Sequence, residues 1–378
     1  MSLPPMWRQS IADEAMDYRD KPDNDKNCGM VENSMKNLSL DKLPSRRDEA
    51  WKWTDLRGQV SEGQAGLSAE GTPKFTPPKG VTVSQTAQDA GSNVMSVMAA
   101  NFAPQVWKFD VPAGFKSDEP LLIEDIARGH MRAVINLGEG AQLTVIEHHS
   151  GDAGGFVNMD LQVNLASGAE LTRVVVHDDP IDAVRIAGAT IHSEKDARFN
   201  QFALSFGGGL TRLETRLDVQ GADFEANING AYLLRDKRHC DMSSHIDLAR
   251  PDCTIRQAVK GVVTDSARGV FQGKFLVQRP AQHTDAEMRH DALMLSDASE
   301  IRSKPELEIY ADDVACAHGN TIGQLDESAL FYMQQRGIPA AQARALLTEA
   351  FVADVFDDLE DEDLKESILG KLRDWLGV

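Results

Sequence analysis

The chain has 378 residues, more than one compact core usually takes, so length alone suggests two or three units. Charged residues make up 26% and hydrophobic residues 42%, the balance of a soluble globular protein. The formal net charge of -20 argues against nucleic acid and anionic membrane as partners, and fits either a well-solvated surface or docking on a basic one.

No run of about 18 apolar residues occurs, so no membrane span is expected. Met1 to Met16 carries Trp7, Arg8, Asp13 and Glu14 and lacks an apolar signal core, so a cytoplasmic location is expected. Cys28, Cys240, Cys253 and Cys316 lie far apart and form no CxxC pair, which favours reduced thiols over a disulfide framework.

An N-terminal mixed region is expected over residues 1–105. Arg19 to Asn27 is almost wholly polar and reads as a loop. Leu43 to Arg57 is helix-like, and Gly58 to Gly80, rich in Gly and Pro, reads as a linker. Ser92 to Ala103 reads as a short helix offering Val94, Met95, Val97 and Met98 for burial.

From about Val106 to Ala315 short apolar-alternating runs follow one another, as in Leu161-Gln162-Val163-Asn164-Leu165, and helical periodicity is nearly absent. A repeat runs through this part. Gly140-Ala141-Gln142-Leu143 recurs as Gly168-Ala169-Glu170-Leu171, Asp196-Ala197-Arg198-Phe199 and Gly221-Ala222-Asp223-Phe224, so the small residues step by 28, 28 and 25. A period near 28 holds two strands and two turns and points to a stacked coil of strands, a parallel β-helix or flattened β-solenoid, over 106–323. A β-sandwich is the alternative.

Residues 324–378 read as helical. Asp326 caps a helix through Leu330, Phe331, Tyr332 and Met333 that Gly337 ends, and Pro339 suits the first turn of the next. In that second helix Leu346, Leu347, Ala350, Phe351, Val355 and Leu359 share one face, and a last helix holds Leu364, Ile368, Leu372, Trp375 and Leu376.

Catalytic motifs are scarce. The chain has no GxxxxGK[ST] loop and so no P-loop ATP site, and neither GxSxG nor HExxH occurs. Phe206-Gly207-Gly208-Gly209-Leu210 lacks the strand-to-helix context of a phosphate cradle and reads as a tight turn. His239, Cys240 and His245, with Cys253 nearby, match no ligand spacing and read as solvated or core positions. His148 and His149 point to opposite faces of a strand.

The sharpest local feature is Cys316-Ala317-His318-Gly319. Continued strand register points Val314, Cys316 and His318 to one face, where thiolate and imidazole can reach one metal ion. Two ligands do not close a tetrahedral site, so a shared site completed by another chain stands beside the plainer reading of a buried cysteine next to a hydrogen-bonded histidine. A Cys–His nucleophile pair lacks a visible orienting acid, and Asp312-Asp313 reads as a solvated turn.

The run from Gly273 onward, GKFLVQRPAQHTDAEMRHDALMLSDASEIRSKPELEIYADDVACAHGNTIGQLDESALFYMQQRGI, resembles the SufB/SufD family. Ser303 to Ile309, Asp312 to Val314, Cys316, His318, Gly319, Thr321, Gly323, Phe331, Tyr332, Arg336 and Gly337 fall on its shared run, and Trp51-Lys52-Trp53-Thr54 is similar to its N-terminal WKYT segment. The SufB branch carries a Glu-His-Glu-type segment where this chain has Ala317-His318-Gly319, and further cysteines upstream. This chain has no cysteine between Cys253 and Cys316 and resembles the SufD branch instead, departing at Asn320, where alanine is usual, and at Trp53.

The resemblance implies a right-handed parallel β-helix and a role as a scaffold in iron–sulfur cluster assembly. It implies pairing with SufB through the end of the β-helix and a transient iron–sulfur cluster near that interface, with His318 and the neighbouring Cys316 as the matching residues. It also implies docking of the ATPase SufC on the C-terminal helices, where Phe331, Tyr332, Arg336 and Gly337 lie. The open ends of such a fold leave homodimerisation of the isolated chain open. Two readings compete: a β-helix enzyme acting on polysaccharide, against which stand 6% aromatic residues and no recurring paired carboxylates, and a purely structural partner of SufB.

Overall fold

The computed structural model describes residues 40–61, 63–88, 91, 93–124 and 127–377. The expectations for Met1 to Met16, Arg19 to Asn27, Cys28 and Ser92 lie outside the described residues. From Gln105 to Gly323 the alternating apolar runs become strands that enter two sheets by turns. One sheet takes Lys74–Thr76, Leu121–Glu124, Gln142–His149, Glu170–His177, Arg198–Ser205, Glu225–Leu234, Thr254–Val263, Asp285–Met294 and Ala315–Gly323. The other takes Thr82–Ala87, Gln105–Val111, Gly129–Leu137, Phe156–Leu165, Val184–Ser193, Leu210–Val219, His239–Leu248, Arg268–Val277 and Glu300–Ile309. Strand pairing is parallel except at the start, where Lys74–Thr76 runs antiparallel to Leu121–Glu124 and Thr82–Ala87 antiparallel to Gln105–Val111. Among the described residues this makes eight two-strand coils, a parallel β-solenoid.

Every second residue of each strand faces between the sheets. Leu143, Leu171, Phe199 and Ala226 stack there in register, each buried. Charge also enters this interior. Arg173 donates to both carboxylate oxygens of Glu147, at 2.6 and 3.0 Å, and to Gln201 Oε1 at 2.8 Å, while His149 Nε2 lies 3.1 Å from Glu147 Oε2.

Six corners before strands of the first sheet share one conformation. Gly140, Gly168, Asp196, Asp223, Asp252 and His283 all have positive φ, between 56° and 67°. Each donates its N–H to a carbonyl of the next coil's corner, from Gly140 to Ser167 at 3.0 Å through His283 to Asp313 at 2.6 Å. This corrects the repeat alignment at its fourth member. Phe224, not Ala222, continues Ala141, Ala169 and Ala197, because Arg198 pairs with Glu225, a step of 27. The left-handed residue sets the register, and Asp223 occupies that place. The Gly207-Gly208-Gly209 run is a tight corner, as expected, joining the two sheets.

Each outer face is covered by one end of the chain. Leu43, Trp51, Leu56, Met95 and Met98 pack on Phe156, Val184, Ile186 and Leu210. Trp51 lies under Arg212, 4.2 Å from ring centroid to guanidinium carbon, and the Thr54 hydroxyl donates to Asp241. Gly58 to Gly80 is not a free linker: Phe156 N–H donates to Ala65 and Gly71 N–H to His130, and Lys74–Thr76 joins a sheet. Its glycines serve close approach, since a Cβ at Gly66 would stand 2.5 Å from the Phe156 carbonyl oxygen. The helix Val94–Phe102 is capped by Asn93 and buries Met95, Val97 and Met98.

On the opposite face lie the helices Glu327–Gln335, Ala340–Ala353 and Glu362–Leu376. Leu330, Val352, Val355, Phe356, Ile368 and Leu372 cover Val174, Phe202, Leu204, Leu233, Val262 and Leu293. Asp326 accepts from Ser328 N–H, and Gly337 takes a φ of 87° just past the first helix. Pro339 is the N-cap of the second helix rather than its first residue. Of the expected apolar face of that helix, Leu347, Phe351, Val355 and Leu359 pack in the core beneath it, and two positions do not. Ala343, Ala345, Thr348 and Val352 face inward, while Leu346, 38% exposed, and Ala350 face out.

Candidate site at the open end of the solenoid

The strands Glu300–Ile309 and Ala315–Gly323 each pair on one side only and end the two sheets. The eighth coil therefore leaves its free edges, and the inner positions of its strands, without a further coil above them. Cys316 pairs in register with Ala286 and His318 with Met288, both buried core residues, so Cys316 and His318 occupy inward positions on the last coil. Cys316 is half-buried against the core and His318 is exposed. Two residues apart on a strand, their Cα atoms are about 7 Å apart. Ile309, Tyr310 and Ile322, on or next to the same two strands, are large apolar residues left exposed.

Burial pushes the Cys316 thiol above its ordinary value, so in the isolated chain it is a protonated thiol rather than a ready thiolate. Among the described residues no group of three or more His, Cys, Asp or Glu is placed to hold a metal ion. The pair is at most part of a ligand set.

Other candidates disperse. Cys240 is sealed inside, its thiol pushed by burial up to about 12, while its neighbour His239 faces outward beneath the N-terminal segment, 3.5 Å from Thr54 Oγ1. Cys253 is buried at a corner. His149 points inward and His148 outward, as the alternation predicts. Asp313 is exposed, within 3.3 Å of His283 Nε2.

Away from the open end, Phe331 and Tyr332 are 64% and 59% exposed on the helix Glu327–Gln335. Arg336 lies over the Tyr332 ring at 5.1 Å and donates to its hydroxyl at 2.8 Å. Leu346 is also exposed, on the helix Ala340–Ala353.

Sequence reasoning missed what lies beneath Asn320. Asn320 Oδ1 is 3.1 Å from His290 Nδ1, and His290 Nε2 is 2.9 Å from the Tyr232 hydroxyl. The signal was present but faint: His290 and Asn320 are one 30-residue step apart, and both sit at inward positions of an alternating strand.

The SufBD core domain of the SUF system for FeS cluster assembly matches residues 124–351, from the end of the first coil to within the helix Ala340–Ala353. The chain is 28% identical over 375 residues to the iron–sulfur cluster assembly protein SufD of Escherichia coli, covering 87% of this chain and 88% of that one. It is 26% identical to an iron–sulfur cluster assembly SufBD family protein of Mycobacterium bovis, over 89% of this chain and 90% of the relative. A family member from Synechocystis is 32% identical over 218 residues, covering 58% of this chain and 47% of the relative. A parallel β-solenoid with helices on one face and an open last coil is thus the architecture of a SUF-system protein, and the chain belongs to the SufB/SufD family. Its full-length similarity is to a SufD, and its role is in iron–sulfur cluster assembly. No helix among the described residues is long and apolar enough to cross a membrane.

Proposed function

We propose that the chain is a cytoplasmic scaffold subunit that catalyses no reaction alone. It shares a transient iron–sulfur cluster with SufB at the open end and couples to the ATPase SufC through its helical layer. The cluster is cargo. His318 offers one imidazole ligand, and SufB supplies the ligands that this chain lacks. The observation that carries this is the placement of His318 on an inward register of the last, uncapped coil, whose strands also leave Ile309 and Ile322 exposed. A solenoid end with exposed apolar residues and unpaired edges favours a partner that continues the stack. The half-buried, protonated Cys316 supports a supporting rather than leading part for that residue. Phe331, Tyr332 and Arg336, with the turn at Gly337, offer the rigid aromatic anchors that a docked ATPase would grip.

The test is His318→Ala in the co-purified three-subunit complex. Cluster formation, read as bound iron and sulfide and as visible absorbance, falls at least tenfold while complex size and melting temperature stay at wild-type values. Undiminished cluster yield would remove His318 from the site and leave a purely structural partner of SufB.

A further inference from the structure

A hydrogen-bonded chain runs from the solenoid interior to the open end. Tyr232 pairs in register with Gly261, and its phenol lies across that glycine toward the following coil. A Cβ at Gly261 would stand 2.3 Å from the phenol oxygen, and one at Gly269 would stand 2.4 Å from the ring, so both positions are given over to its passage. The hydroxyl thereby skips one coil and meets His290 Nε2. Phe271 stacks on the His290 ring at 4.8 Å and 6°, which fixes the ring plane, and Tyr232 and His290 are both fully buried.

The donors and acceptors then follow. Burial holds the His290 imidazole down at about 4, so at neutral pH the ring is neutral, with one donor and one acceptor nitrogen. Asn320 presents Oδ1 to Nδ1, which makes Nδ1 the donor and Nε2 the acceptor of the Tyr232 hydroxyl. Burial pushes the phenol well above its ordinary value, so that hydroxyl stays protonated. The Asn320 carboxamide is thereby oriented by its oxygen. Its Nδ2 donates to no other described residue, and Asn320 is exposed on the last coil, two residues beyond His318.

We propose that Tyr232, His290 and Asn320 form a positioning relay that holds the Asn320 amide as a hydrogen-bond donor to sulfide or thiolate sulfur brought to the open end beside His318. The inference rests on the cluster reading above. Its chemistry is that of outer-shell control: hydrogen bonds to cluster sulfurs shift the reduction potential upward, and their donors must be held in place by what lies behind them.

Two measurements test it. In the assembled complex carrying its cluster, Asn320→Leu, similar in size but without an N–H, moves the cluster's reduction potential to a more negative value. Tyr232→Phe moves it the same way by less, and iron and sulfide content stay near wild type in both. Histidine-selective 15N NMR of the isolated full-length chain finds His290 as the neutral Nδ1–H tautomer, converted in part to Nε2–H by Tyr232→Phe. A cluster that depends on His318 yet keeps its potential in both variants overturns the relay alone, as does an Nε2–H tautomer in the wild type. A cluster bound in the complex independently of His318 overturns the underlying reading and the relay with it.

Discussion

His130, His239 and His290 are each held by burial to about 4, two to three units below an exposed imidazole. The unfolded chain therefore binds more protons than the folded one between about pH 6.5 and 4. Stability is full above that window and is lost as pH falls through it, at roughly 1.4 kcal/mol per unit for each histidine. Glu214, drawn to about 2 by Arg216 and Arg212 against the opposing effect of burial, adds a loss only below the ordinary carboxylate range. Melting temperature recorded against pH is expected to be level above pH 7 and to drop steeply from about 6.5; a level profile down to pH 5 would contradict the sealed neutral histidines. These groups were poorly legible in the sequence. Glu147 and Arg173 lie at the inward phase of their strands, two residues beyond Val145 and Leu171, but a charge in an alternating run reads as facing solvent until its partner is known. That partner lies 26 residues away, and only coil register brings the pair together.

At the scale of the element, the corner was half legible. Ala141, Ala169 and Ala197 revealed the repeat because they follow residues of positive φ, and two of those three residues are glycine. From Asp223 onward the same conformation is carried by Asp and His, whose tolerance of it composition does not announce, and the sequence alignment slipped there to Ala222. The prediction follows from sterics. Asp223→Val puts a β-branched residue at a φ of 56° and is expected to cost about 1–3 kcal/mol, whereas Asp223→Gly stays within about 1 kcal/mol of wild type. Urea denaturation midpoints of the two variants check this; equal midpoints would show that the corner conformation is not what constrains the site. The helical layer was legible in its caps, Asp326 and Gly337, and in most of its facing, since Leu347, Phe351, Val355 and Leu359 pack as their spacing predicts. Leu346 and Ala350 share that spacing and are exposed.

For the whole molecule, each coil contacts chiefly the coils before and after it, so stability passes along the stack by nearest neighbours. The eighth coil has one neighbour instead of two, and its strands Glu300–Ile309 and Ala315–Gly323 are the least buried of the parallel core. Hydrogen exchange of the isolated chain is expected to be fastest there among the coils from Gly129 onward, with protection rising toward the central strands that the helices cover. Uniform protection along the stack would contradict an uncapped end. The order of coils was readable from the period and the family likeness, and the shared face of Cys316 and His318 from their spacing, although the strand expected to run on from Leu307 ends at Ile309 and Ala315 begins another in the other sheet; what capped and what covered each face was not, because that depends on which outward positions of the strands are apolar together across several coils.

The stacking has a consequence for how the molecule comes into being. A ribosome delivers the chain from its N-terminus, and each coil can wind onto the one just finished, so the spool lengthens in the order of synthesis. His318 lies on the last strand to be wound, and the helices that follow fold back over Val174, Leu204 and Leu293, fastening earlier coils to the latest. A chain stalled before residue 315 lacks the strand that carries Cys316 and His318, and one stalled before Glu327 lacks the helices that cover Val174, Leu204 and Leu293. The spool is thus wound before it is fastened.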